Sequence, residues 1–148
     1  MSLSSIFNIA GTGMSAQNTR LNTISSNIAN AETVSSSLDQ TYRARHPVFA
    51  TMFQNSLGGG DRGSLFAGDD QSGAGVQVLG VIEDQGTLTP RYEPNHPAAN
   101  AEGYVYYPNV NVVEEMADMI SASRSFQTNV EMMNTAKQMM QKVLTLGQ

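Results

Sequence analysis
Residues 109–148 read NVNVVEEMADMISASRSFQTNVEMMNTAKQMMQKVLTLGQ, and the arrangement of the whole chain follows from this stretch. It has no proline, and its only glycine is Gly147, so nothing interrupts a helix before the last residues. Stepping alternately by four and three picks out Val112, Met116, Met119, Ser123, Phe126, Val130, Met133, Lys137, Met140 and Leu144, eight of ten apolar. That period predicts one long helix carrying a coiled-coil seam, roughly 50 Å long at ~1.5 Å per residue. Asn111 is placed to cap the first free amides, with Glu114 three residues on. Glu114, Glu115 and Asp118 lie at the positive end of the helix dipole, and Lys137 and Lys142 lie towards the negative end. A core helix of an ordinary bundle is the plainer reading; the length, and a partner stripe at the other end of the chain, speak against it.

That partner begins at Leu3. The same stepping gives Leu3, Phe7, Ala10, Met14, Gln17, Leu21, Ile24, Ile28 and Ala31, eight of nine nonpolar, and predicts a second helix of about 43 Å. Asn30 is a suitable stop. Residues 1–31 carry a single charge, Arg20, and are otherwise furnished with Ser, Thr, Asn and Gln, so the face should rest against other protein. Gly11 and Gly13 each cost such a helix ~1 kcal/mol relative to alanine. The segment is therefore weak alone, and we expect a tail disordered in the monomer that becomes helical in an assembly.

Composition agrees. Charged residues make up 14% of the chain, against about 25% in soluble domains, so something other than water covers much of the surface. The net charge of −5 divides into +1 for residues 1–31, −5 for 32–108 and −1 for 109–148, which makes the middle the solvated part. No basic patch points to nucleic acid. No apolar run reaches the ~20 residues of a membrane span, and the N-terminus lacks the pattern of a cleaved signal; by these rules alone the chain looks cytoplasmic. It has no cysteine, which removes disulfides, zinc-cysteine sites and thiol catalysis.

All five prolines and ten of thirteen glycines fall between the two seams. Residues 32–40 form a polar linker. Residues 41–53 alternate loosely and predict one or two short strands broken at Pro47. Residues 54–75 hold seven glycines and read as a loop or disordered insertion. Val76, Val78, Gly80 and Ile82 alternate as a strand, Gly86 makes a turn, residues 88–92 return as an edge strand, and residues 104–107 form a last aromatic one. The predicted fold class is mainly α with a small β insertion. Its parts are an N-terminal helix (1–31), a linker, Gly-rich loop and β module (32–108), and a C-terminal helix (109–148).

Chemistry is sparse. His46 and His96 each flank a proline and share no metal-ligand spacing, so both read as surface loop residues. Residues 58–63 are glycine-rich but lack the G-K-[ST] ending of a phosphate loop. Asp69-Asp70 lacks the alternating ligands of a calcium loop, and Glu83-Asp84 points its carboxylates to opposite faces of a strand. No catalytic, cofactor or metal site is predicted, and the six methionines of residues 109–148 read as core.

The segments IAGTGMSAQNTRLNTISSNIANA (9–31), NVNVVEEM (109–116) and SASRSFQTNVEMMNTAK (121–137) resemble the terminal signatures of flagellar rod and hook proteins. Within that family the short length, YRARHPVF (42–49), EGYVYYPNV (102–110) and the ending TLGQ are most similar to the proximal rod members. The resemblance covers about two thirds of the chain. It implies a bacterial axial subunit whose terminal helices pack into a helical tube, with the middle outside. Such subunits leave the cell unfolded through the flagellar type III apparatus, which replaces the cytoplasmic inference. They form a periplasmic rod on the inner-membrane ring that conducts torque and exported subunits. Its partners would be copies of itself, other rod proteins, that ring and the export apparatus.

By the resemblance, Asn27, Asn30, Asn111, Glu115, Arg124, Phe126 and Asn129 fall on recurring positions with interface or capping roles. The seam adds Leu3, Phe7, Met14, Leu21, Ile24, Ile28, Val112, Met116, Met119, Val130, Met133, Met140 and Leu144 to the expected assembly interface. Phe126 stands where a tyrosine is common, the usual Gly-Tyr after the first helix is absent, and residues 54–75 match nothing in the family pattern. Other readings are a different rod or hook subunit, a soluble coiled-coil adaptor, or a cell-wall hydrolase, the last of which would need a carboxylate constellation that the sequence does not offer.

Overall fold
The computed structural model describes residues 3–53 and 73–146. In chain order come α1 (Leu3–Asn30), β1 (Arg45–Phe53), β2 (Gly73–Glu83), β3 (Thr89–Tyr92), β4 (Tyr104–Tyr107) and α2 (Val112–Leu146). Both long helices expected from the period are present. Asn111 caps α2, its Oδ1 accepting the Val113 amide at 3.2 Å and its carbonyl the Glu115 amide at 2.9 Å, so the helix starts at Val112 rather than at residue 109. Asn30 closes α1: its carbonyl takes both the amide and the hydroxyl of Thr33, and its side chain reaches back to the Ser26 carbonyl.

The helices run antiparallel. Asn27 meets Glu115, Arg20 meets Asp118, Gly13 lies against Asn129, and Ile6 lies beside Ala136. On α1 the contact line Ile6, Gly13, Arg20, Asn27 repeats every seven residues, and on α2 the line Glu115, Ala122, Asn129, Ala136 does the same. Along this line small and polar side chains outnumber bulky ones, with Ile6 at one end. Four residues of the expected seam lie open on the subunit: Met116 is 55% and Leu144 67% exposed, and Val112 and Met140 are exposed as well, while Met119, Phe126, Val130 and Met133 are half-buried. Apolar periodicity finds bulky residues, whereas close approach of two helices selects small ones.

A second line on α1, Thr12, Ala16, Thr19, Thr23, meets the β1–β2 hairpin, which lies lengthwise on the helix. At one end the Thr12 hydroxyl accepts the Val76 amide at 3.2 Å; at the other Asn27 holds Arg45. Gly75 has φ +139°, and a side chain there would run into the Thr12 hydroxyl, so glycine is what lets the hairpin seat. β1 and β2 pair antiparallel from Arg45↔Glu83, with Leu79 bulged between the Val48↔Gly80 and Phe49↔Val78 pairs.

Pro47 does not break β1; it pairs with Val81 inside one continuous strand, and His46 is an exposed strand residue rather than a loop residue. The Arg45 amide and carbonyl face Asn27, away from β2. By the two-residue repeat Pro47 faces the same open edge, where its missing N–H removes no ladder bond. Gly73–Gly75, expected in the insertion, belong to β2; the rest of that reading, residues 54–72, lies outside the described residues.

β3 does not return to β2. It pairs with β4 in a separate two-stranded sheet, extended by a bridge between Ser35 and Tyr106. Val105 is fully buried here, with Leu88 nearly so. Outside, Tyr92 packs edge-on against Tyr104 at 5.3 Å and Arg91 stacks over Tyr107 at 4.5 Å. Gly103, at φ +82°, makes the turn between the strands.

Candidate assembly interface
The chain is tied together at Asn27. Its Nδ2 donates to the Arg45 carbonyl at 2.9 Å and to Glu115 Oε1 at 2.8 Å; its Oδ1 accepts the Arg45 amide at 2.9 Å and the Tyr42 hydroxyl at 2.8 Å. The residue is fully buried, and both donors and both acceptor positions are used. Towards Arg45 the amide imitates a neighbouring strand, taking one N–H and offering one in return. This fixes α1, β1, the Tyr42 loop and the start of α2 in one frame. Arg45 continues outward, bonding Glu83 at 3.0 Å and lying 5.4 Å over the Tyr42 ring.

With the frame set, the remaining surface divides into two kinds. The solvent side of α1 consists of Asn8, Ser15, Asn18, Asn22, Ser25 and Ala29, all exposed and none charged. Beside it Phe7, Met14, Leu21 and Ile28, seven apart, are half-buried. α2 is the more apolar outward face: Val112, Val113, Met116 and Ile120 near its start, and Met132, Met139, Met140, Val143 and Leu144 near its end, are all exposed. Residues 140–145 are exposed throughout; continued at the same register Leu3 falls opposite Met139, so α2 runs past the start of α1.

The expected interface residues fall in different environments. Ile24, Asn27 and Glu115 are buried inside the chain, and Asn129 is half-buried against Gly13. Met119, Phe126, Val130 and Met133 are half-buried on α2, and Arg124 is exposed. The side chain of Leu3 lies outside the described residues. Thr12, Tyr42, Ala122 and Ala136 carry contacts that sequence reading passed over; the signal that could have found the two alanines is the seven-residue spacing with Glu115 and Asn129.

Among the described residues no group of three His, Cys, Asp or Glu side chains is placed to hold a metal ion, and no helix is long and apolar enough to cross a membrane. Residues 7–34 match the family model described as flagella basal body rod protein, and residues 101–146 match that of the flagellar basal body rod FlgEFG protein C-terminal. Over all of both chains the sequence is 46% identical to the flagellar basal-body rod protein FlgC of Salmonella typhimurium strain LT2. The chain belongs to the FlgC family. Identity to FlgC of Escherichia coli O6:H1 is 47%, again over both whole chains. Identity to FlgC of Borreliella burgdorferi is 38%, over all of this chain and 99% of the other. Asn27 lies in one of the two segments matched by the family models and Glu115 in the other, so their hydrogen bond joins the parts by which this FlgC-family chain is known.

Proposed function
We propose that the chain is a structural subunit of the bacterial flagellar basal-body rod, assembling with copies of itself and with other rod components. The observation that carries this is full-length identity to FlgC proteins together with an α2 whose bulky apolar residues face outward. An exposed apolar face of this extent is a contact surface waiting for protein. In our reading, neighbours take Phe7, Met14, Leu21 and Ile28 of α1, and Val112, Met116, Met119, Arg124, Phe126, Val130, Met133, Met140 and Leu144 of α2. Asn27, Asn30, Glu115 and Asn129 shape the subunit that presents them.

The finer picture is a helical tube with the β elements outside, standing in the periplasm on the inner-membrane ring, transmitting torque and enclosing the export channel. Subunits arrive unfolded through the flagellar type III apparatus without a cleaved signal. Coupled folding and polymerisation accounts for the weak, glycine-containing α1, which gains its order from α2 and from adjacent copies. The test is complementation of a strain lacking its own subunit of this family, followed by imaging of isolated basal bodies. Complete rods containing the chain are expected. A chain that is made and exported yet leaves rods truncated would overturn the reading.

A further inference from the structure
α2 carries six methionines, Met116, Met119, Met132, Met133, Met139 and Met140, and the fold buries none of them. Methionine usually serves to fill irregular gaps in a core. Here Met116 and Met139 are 55% exposed and Met132 47%. Met132 and Met139 join Ile6 along an open, largely apolar groove of about 350 Å3 between the start of α1 and the far half of α2. Met116 stands at the other end of the helix, at helical spacing from the exposed Val113 and Ile120. The chain has no cysteine, so no thiol competes for oxidants.

An exposed thioether is open to peroxide. Its sulfur lone pair attacks one peroxide oxygen, the O–O bond breaks, and the sulfur takes up that oxygen as the sulfoxide; the hydrogen peroxide is reduced to water. A flexible apolar side chain becomes polar. On the free subunit this costs little, because the new S=O reaches solvent. In a dry contact the same group has to be desolvated without a partner.

We propose that Met116, Met132 and Met139 are oxidation sites that govern assembly: peroxide converts them to sulfoxides, and the modified subunit keeps its fold but loses the ability to join others. The proposal rests on the reading of α2 as an assembly face and extends that face to Met132 and Met139, which are exposed on the same helix. Methionine sulfoxide reductases reverse the change, so the block is reversible.

The experiment treats the purified full-length chain with hydrogen peroxide and maps added oxygen by peptide mass spectrometry. Met116, Met132 and Met139 should oxidise several-fold faster than Met14, Met119 and Met133, with helix content by circular dichroism unchanged. Self-association by sedimentation should fall several-fold and return after reductase treatment. The variant Met116→Leu, Met132→Leu, Met139→Leu, Met140→Leu should associate and keep associating after peroxide, while Met116→Gln, Met132→Gln, Met139→Gln together should not support rods in cells. Oxidation at these three positions that leaves association intact, or a Leu variant as peroxide-sensitive as the parent, overturns the proposal and leaves the rod assignment standing. An untreated chain that neither associates nor builds rods overturns both.

Discussion

Asn27 Nδ2 and Glu115 Oε1 meet at 2.8 Å across 88 residues of sequence, and both side chains are buried. One end of the chain is thereby bonded to the other through a charged acceptor in a dry place. A second polar link between the helices, Arg20 to Asp118 at 2.9 Å, is half open to water, with the two side chains 29% and 48% exposed. The two bonds are similar in length and very different in worth, because burial decides how much a lost partner costs.

Replacing Asn27 therefore tests the frame. Asn27→Ala strands the Glu115 carboxylate, the Tyr42 hydroxyl and both backbone groups of Arg45, and should destabilise the chain by about 3 to 5 kcal/mol. Asn27→Asp should be at least as damaging, since it removes two donors and places a second negative charge beside Glu115. Urea unfolding followed by circular dichroism measures both; a shift no larger than that of a surface variant would refute the account.

Asp118→Ala should cost no more than about 1 kcal/mol, and raising salt should narrow its difference from the parent. Unfolding midpoints at low and high sodium chloride give the answer. A large loss that is insensitive to salt would mean that the Arg20 pair carries far more than its exposure allows.

What could be read from sequence was what repeats or punctuates. Unbroken period, the Asn111 cap and the Asn30 stop placed both helices, and alternation at Val76, Val78, Gly80 and Ile82 placed β2. The contact between the helices was hidden because Glu115, Ala122, Asn129 and Ala136 are not apolar as a set, and a search for hydrophobic seams passes over them. Pro47 misled for a related reason. Which edge of a two-stranded sheet is open depends on where Asn27 sits, and that is tertiary information. The resemblance supplied the family, while the use of Asn27 as a surrogate strand neighbour needed coordinates.

The two glycines of α1 should respond differently. Nothing stands within 4 Å of a side chain added at Gly11, whereas one at Gly13 would come to 2.9 Å from Asn129 Nδ2. Gly11→Ala should stabilise the monomer by about 0.5–1 kcal/mol through helix propensity alone. Gly13→Ala should yield no net gain, and adding Asn129→Ala should restore it. Thermal melts of the three variants decide; equal gains at both glycines would show that the helices do not approach at this point.

Gly75→Ala faces two obstacles at once, a left-handed φ and the Thr12 hydroxyl, and should cost about 2 kcal/mol or more. The loss is expected to be local. Amide exchange at Val76, whose N–H donates to Thr12, should accelerate while amides in the middle of α2 keep their protection. Uniform acceleration throughout would show that the hairpin and the helices open as one unit, and that the seat at Thr12 is not a separate joint.

Removing residues 140–148 separates folding from assembly. Every described side chain from Met140 to Thr145 is exposed, so the truncated chain should lose almost nothing in unfolding midpoint. It should nevertheless lose self-association and fail to build rods, because Met140, Val143 and Leu144 form the apolar end that α1 does not cover. Urea unfolding, sedimentation against concentration, and imaging of basal bodies from complemented cells give three independent readings of the one variant. A truncated chain that unfolds early would place these residues in the core of the subunit. One that still assembles would move the contact surface to the start of α2, where Val113, Met116 and Ile120 present the same chemistry.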